Sequence, residues 1–452
     1  MIRRSTLIAG EILLGLIAAL VIGLAIAWWR LSQGPVDLSF IRDSVQTQLS
    51  EARQGRPVGI ERVQLAWSRT GGALDIRAVG ITIQDGRGHV LSRSDEARLE
   101  LGVLPLLIGR ISVERAEFSG GAITLTRKIN GVTYIAFGPE DAPPDIVLPP
   151  APENETLEHR VARTLDNLEA AFRPVGGAGS LRQISVRGAH LVIIDEKGGG
   201  RWNADTANFQ LSRQGQTLEL AADARLEGPH GLAPANLRIA TDTRFQSAVV
   251  SFGAQNVRPR ALFSDAALGP FAGLDAPMTA NIAIDLDRRS GVNRFEGDAV
   301  IGRGTADMAG GRFSLDGGRV HGRYDIASDE LIVDQLSLAG ERTRMRGEMH
   351  VRNVSAIMAA APNQPAAFDI SLPAVRLDVP GTFTQPLSLA DVRAVGAIDG
   401  AARSINFTQL HAQTGAARIN LAGRVYWGEA GGATHMGVAM QGGIEGPIDV
   451  TR

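Results

Sequence analysis

The stretch LELGVLPLLIGRISVERAEFSGGAITL, Leu99 to Leu125, decides how the chain is read. Leu99, Leu101 and Val103 alternate with other residues, as do Ile111 and Val113, and then Ile123 and Leu125. A period of two places each set on one face of a β-strand. The link VLPLLIG carries a proline and the segment SGG at Ser119–Gly121 supplies turn residues, so both mark strand junctions. The stretch therefore predicts consecutive antiparallel strands sharing one apolar face.

The same pattern continues on either side. Toward the N-terminus it runs through Ile60, Leu65 and Trp67, Leu74 and Ile76, and Ile81 and Ile83. Toward the C-terminus Ile184 and Val186 repeat it, as do Ile282, Ile284 and Leu286. Turn chemistry punctuates the strands at DGRG (Asp85–Gly88) and NG (Asn130–Gly131). Two weak internal echoes suggest a repetitive build. ISVERAEF (Ile111–Phe118) returns as ISVRGAHL (Ile184–Leu191), and DQLSLAGERTRMRG (Asp334–Gly347) returns loosely as TQLHAQTGAARINLAG (Thr408–Gly423).

Helical signals are few. TLEHRVARTLDNLEAAF, Thr156–Phe172, has Leu157, Val161, Leu165, Leu168 and Phe172 on one stripe and predicts an amphipathic helix. A shorter helix is expected within Pro35–Arg53, from Leu38, Ile41, Val45 and Leu49. Further candidates near Arg258–Leu268 and Val354–Ala361 are cut short by Pro270 and Pro362. The segment GPEDAPPDIVLPPAPEN, Gly138–Asn154, is proline-rich and reads as a linker or an exposed excursion.

The first thirty residues carry a different signal. LIAGEILLGLIAALVIGLAIAWW, Leu7–Trp29, would rise roughly 35 Å as a helix, enough to cross a hydrocarbon core of about 30 Å. Arg3 and Arg4 precede the run, Leu7, Leu13, Leu16, Leu20 and Leu24 lie within it, and Trp28 and Trp29 close it. That order predicts a membrane anchor with a cytoplasmic N-terminus. AIA at Ala25–Ala27 also fits a signal-peptidase site, but the apolar run exceeds the usual core of a cleaved signal. The expected organisation is an anchor over 1–30, a juxtamembrane helix in 31–57, a first β segment over 58–138, a linker and helix over 139–180, and continuing β segments over 181–452.

Composition narrows the function. Lys and Arg total 46 against 48 Asp and Glu, a net charge of -2, so no strong field draws the chain to nucleic acid. There are no cysteines, which removes disulfides and thiolate chemistry. The eight histidines show no zinc-binding spacing, and neither a G-x-S-x-G elbow nor a phosphate-binding G-x-x-x-x-G-K-[ST] loop occurs. No enzyme, metal or cofactor is expected. With roughly two dozen strand-like segments and so few helices, the apolar face must be buried by another part of the sheet or by something other than protein. An open trough in water calls for a greasy ligand, and the anchor makes acyl chains the candidate. Leu99, Leu101, Val103, Ile111, Val113, Ile123, Leu125, Ile184, Val186, Ile282, Ile284 and Leu286 are the expected lining. A second reading is an envelope scaffold or assembly factor that pairs with outer-membrane β proteins through strand edges.

VDLSFIRDSVQTQL (Val36–Leu49), VGIERVQLAWS (Val58–Ser68), LDIRAVGITIQDGRGHVL (Leu74–Leu91) and LLIGRISVERAEFSGGAITLTRKINGVTYIAFG (Leu106–Gly138), following an N-terminal span, carry a resemblance. In this order they resemble the AsmA-like superfamily of bacterial envelope proteins, of the YhdP and TamB type, over roughly the first 220 residues. The resemblance implies a single-pass inner-membrane protein whose periplasmic part is an elongated, taco-shaped antiparallel β groove. It implies transfer of phospholipid toward the outer membrane. Relatives of this type are often much longer, so an end at Arg452 implies a short member or an incomplete chain.

Overall fold

A computed structural model describes residues 57–67, 74–84, 90–101, 113–150, 152, 155, 157–176 and 181–446, apart from 197, 229, 264–267, 269–271, 309–310, 342, 359–363, 378–385, 401 and 431–432. Ahead of these it describes residues 29, 36–39, 42, 43 and 46. The protein is mainly β with few helices, as the alternation predicts. It divides into two compact units, one of residues 1–122, 137–142 and 178–189, the other of residues 123–136, 143–177 and 190–452.

The first unit is built from β1 (Val36–Asp37), β2 (Val58–Trp67), β3 (Leu74–Gln84), β4 (Val90–Leu101) and β5 (Val113–Gly120). Antiparallel pairing joins β1 to β2, and β2 through β5 in sequence order. Register sets the face. Val63 stands opposite Ala78, Ala78 opposite Ala97, and Ala97 opposite Phe118. Val58, Ile60, Val63, Ala78, Ile81 and Ala97 form the buried cluster, with Leu38, Ile76 and Phe118 packed on it. The neighbouring positions point the other way and carry ion pairs, such as Arg98 Nε to Glu96 Oε1 at 2.8 Å.

Three short strands follow, β6 (Ala122–Arg127), β7 (Thr133–Ala136) and β8 (Ile146–Leu148), and then helix α1 (Leu157–Gly176) and β9 (Gln183–Asp195). β8 lies inside the proline-rich segment and pairs with β7. Val147 is exposed there, as suits a short strand near proline. The pairing of β5 with β9 departs from the antiparallel expectation. β5 and β9 run parallel, with Ala116 opposite Ile184 and Phe118 opposite Val186. The echo between ISVERAEF and ISVRGAHL thus joins two strands that are direct neighbours.

The second unit continues as β10 (Gly200–Gln214), β11 (Thr217–Gly228), β12 (Gly231–Asp242), β13 (Ser247–Val257), helix α2 (Pro259–Leu262), β14 (Leu274–Asp275), β15 (Met278–Asp287) and β16 (Gly291–Ile301). After it come β17 (Gly304–Met308), β18 (Gly311–Leu315), β19 (Gly317–Asp325), β20 (Glu330–Ala339) and β21 (Thr343–Arg352). Helix α3 (Val354–Met358) leads to β22 (Ala366–Leu377), β23 (Leu387–Asp399), β24 (Ser404–Thr414), β25 (Ala417–Ala430) and β26 (Ala433–Glu445). β14, β17 and β18 make a small separate sheet. The other fourteen, β10–β13, β15, β16 and β19–β26, pair antiparallel one after the next.

The second echo has a structural cause. His321 pairs with Gln335 while Gly322 pairs with Val333, which leaves Asp334 as a bulged residue. Val395 pairs with Gln409 while Gly396 pairs with Phe407, which leaves Thr408 in the same role. In each case the extra residue restores an inward leucine, Leu336 or Leu410, after one step out of phase.

The helices fall close to their expected places. α1 covers the predicted stripe, α2 begins the segment expected near Arg258–Leu268, and α3 begins the one expected near Val354–Ala361. Within Pro35–Arg53, Val36–Asp37 is extended and pairs with β2, while Arg42, Asp43 and Gln46 are helical. The Asp37 carboxylate accepts the Ser39 N–H at 2.8 Å, a capping geometry that ends the extended segment. Ile41, Val45 and Leu49 lie outside the described residues. Arg3, Arg4, Leu7, Leu13, Leu16, Leu20, Leu24 and Trp28 of the expected anchor also lie outside them, and Trp29 is helical and exposed. Among the described residues no helix is long and apolar enough to cross a membrane.

Candidate functional site

The candidate site is the inner face of the fourteen-strand meander. Its central row can be followed from pairing alone. Phe209, Ala222, Leu237, Phe252 and Ile282 stand opposite one another in turn. The row continues through Gly297, Gly322, Val333, Met349 and Ile370. It ends with Ala394, Leu410, Leu421 and Gly442. No residue in it is polar. The next row on the same face, from Leu211 and Leu220 to Phe407, Gly423 and Met440, has Tyr324 as its one polar member. The Tyr324 hydroxyl donates to Asp329 at 2.9 Å, and burial together with that bond pushes its pKa up to about 12.

Among the described residues charge is concentrated on the opposite face, with Arg213, at the end of β10, on the inner side. Arg393 clamps Asp369 through two bonds of 3.2 and 2.6 Å, and Arg319 reaches Asp298 at 3.2 Å. His321 meets Asp334 at 2.7 Å and Glu296 at 3.5 Å. The hydrogen bond to Asp334 is the main cause that raises the His321 pKa. These pairs bind neighbouring strands on the wet side and leave the two central inner rows free of charge.

Protein covers part of that face. α1 places Val161 and Leu165 against Ile239, Ala248, Leu286 and Val292. Phe172 packs at 6.0 Å on Phe245, and Asp166 accepts a 2.7 Å bond from Arg288. The Glu155 carboxylate, nearly enclosed, accepts from Arg163 Nε and Nη2 at 3.0 and 2.8 Å, and this hydrogen bonding is the main cause that lowers its pKa. On the same strands, toward Met278 and Val257, α2 stands over the face, held by the Trp202 indole N–H donating to the Ala261 carbonyl at 2.7 Å. Between α2 and the sheet is a pocket of about 490 Å³. Phe252, Ile282, Ala299, Val320 and Val333 floor it, and Leu262 and Phe263 form its rim. Asp298 touches it, but its carboxylate is turned outward to Arg319.

α3 adds Val354 to the buried cluster of Val351, Ala366, Phe368 and Ala394, and the small sheet packs Ala276, Ala306 and Leu315 against Ile301 and Leu338; among the described residues the lining comes out to solvent at its far edge. On β26, Val438, Met440 and Ile444 continue the inner rows and are exposed at 53%, 36% and 53%. The clusters around α1 and α3 join side chains of adjacent strands and of the helix resting on them, as the cluster from Tyr324 through Phe368 to Leu410 illustrates.

The structure brings most of the expected lining residues onto inner faces. In the first unit Leu99 pairs with Ile76 and Ala116, and Ile184 and Val186 stand beside Ala116 and Phe118. Leu101 and Val113 pair with each other on β4 and β5. In the second unit Ile123 joins Leu191 and Ala204, and Leu125 pairs with Ile135. Ile282 floors the pocket, while Ile284 and Leu286 lie in the cluster under α1. Val103 and Ile111 lie outside the described residues. Sequence reasoning missed Phe252, Gly297, Val320 and Val333, which come from four strands. The one available signal was a glycine inside an alternating run, in RFEGDAV and again in VHGRYD.

Comparisons with protein-family models, with curated proteins and with solved structures found no match to this chain. Fold and site together define a class: a mainly β protein with a long apolar face, parts of which are roofed, among the described residues, by its own helices and small sheet.

Proposed function

We propose that the protein is a lipid-transfer conduit, anchored in the inner membrane by the span at Leu7–Trp29 and passing phospholipid along its apolar β face toward the outer membrane. The observation that carries this reading is the uninterrupted apolar row from Phe209 to Gly442, backed by a charged outer face. Its side chains are largely half-buried rather than sealed, an apolar face left part-open on that scale is rare in a protein without a greasy partner, and acyl chains match it in chemistry because they ask for no hydrogen bond. Burying each methylene contributes about 0.8 kcal/mol, so a chain can be held firmly by contact alone while sliding costs little. The taco-shaped groove and the periplasmic location belong to the same proposal, as does the cytoplasmic N-terminus. The residues of this site bind by contact, and no step of it requires a catalytic group.

The test is lipid transfer between donor and acceptor vesicles by the purified full chain, together with native mass spectrometry of the protein as isolated. Phospholipid is expected to co-purify and to exchange. Met440→Asp, which places a charge on an exposed inner position, should slow transfer by about tenfold or more, whereas Val300→Asp on the outer face should not. Lipid-free protein that accelerates no transfer would overturn the proposal.

A further inference from the structure

The pocket over β13, β15, β16, β19 and β20 contains a channel that other glycine positions on the inner face lack. At Gly347 a Cβ would meet the Ser371 carbonyl oxygen at 2.1 Å, and at Gly423 it would meet that of Ala439 at 2.1 Å. Those glycines are already filled over. Gly297 and Gly322 are directly opposite each other on β16 and β19. A Cβ at Gly297 would find its nearest neighbours at 3.8 Å, and one at Gly322 at 3.5 Å, with neither residue in a positive-φ conformation. A glycine inside a strand marks a bulge or a site where something approaches the backbone closely; Gly322 adjoins the bulge at Asp334, whereas no register break adjoins Gly297, whose bare backbone is the one that points to a close approach. Here the floor is lowered within the pocket, between Ile282 and Val333 of the same row.

The size selects the occupant. A cavity of roughly 150 Å³ takes up one benzene ring, so 490 Å³ holds on the order of 20 carbon atoms. That is about the volume of one long acyl chain. We infer that the pocket is a binding site for a single unbranched acyl chain laid along the Gly297–Gly322 channel, with any second chain of the same lipid left outside. This rests on the lipid reading above and adds a discrete, stoichiometric site to it. The chain can come from a single-chain lipid or from one arm of a diacyl phospholipid, and the chemistry at the pocket is the same.

The test is native mass spectrometry of the full chain titrated with laurate, palmitate, arachidate and lignocerate, then with lysophosphatidylethanolamine and phosphatidylethanolamine as competitors. One tightly held fatty acid per chain is expected, with palmitate and arachidate favoured over laurate and no further gain for lignocerate. Gly297→Leu fills the channel and should weaken palmitate binding by about tenfold or more, with Gly297→Ala giving a smaller loss in the same direction and covering the case in which the leucine variant fails to fold. Displacement of palmitate by the lysolipid alone assigns the site to single-chain lipids, and displacement by both assigns it to either source. Unchanged palmitate binding in a folded Gly297→Leu protein, or affinity independent of chain length, overturns the pocket assignment while vesicle transfer still stands. Absence of any bound lipid in the wild-type protein overturns both.

Discussion

Gly396 shows what the inner face demands of single residues. It stands in register between Phe368 and Phe407, whose rings meet edge to face at 5.5 Å. A Cβ there would come within 2.1 Å of the Asn406 carbonyl oxygen and 2.7 Å of the Phe368 ring. Gly396→Ala is therefore expected to cost about 1–3 kcal/mol through overpacking, read as a lower denaturation midpoint, whereas Gly297→Ala should stay within roughly 0.5 kcal/mol. His321 is the corresponding residue of the outer face, where Asp334 and Glu296 face it together with the nearby guanidinium groups of Arg294 and Arg323. Its pKa is raised in the folded protein, so the stability contributed by the charged ring is complete below the ordinary value near 6.5 and is lost as the pH rises through the raised value. Melting temperature measured across that window should fall more in the wild type than in His321→Gln. Equal slopes would show that the cluster does not link the strands.

At the scale of elements, α1 is the part whose role was most legible in the sequence. Its stripe predicted which side chains would be buried, and Val161, Leu165 and Phe172 are. Leu165→Ala removes a side chain with no solvent exposure and should cost about 2–5 kcal/mol. The loss is to be measured by chemical denaturation, alongside protease sensitivity of the chain around residue 150. Strand existence was equally legible, because alternation reports burial of one face. Partnership was not, since alternation carries no record of which strand lies alongside: β5 and β9 pair in parallel across the intervening β6–β8 and α1. The bulges at Asp334 and Thr408 were hidden for a related reason, because each breaks the period of two for one residue and reads in sequence as a weak repeat. β8 formed in a proline-rich stretch because a short edge strand tolerates missing N–H donors.

For the whole molecule, the governing fact is segregation: carbon on one face of the meander and charge on the other, kept in phase by register across all fourteen strands. The face as a whole was predictable from the alternation, whereas the pocket was not, since it arises where five strands meet and two of its floor residues have no side chain to count. The direct measurement is photocrosslinking from single benzophenone residues at inner positions Val438, Met440 and Ile444 and outer positions Val249, Ser251 and Val300, in the full chain within lipid vesicles. Mass spectrometry should find acyl lipid attached from the inner set and little from the outer set. Equal labelling of the two faces, or inner positions that crosslink to protein alone, would contradict the account.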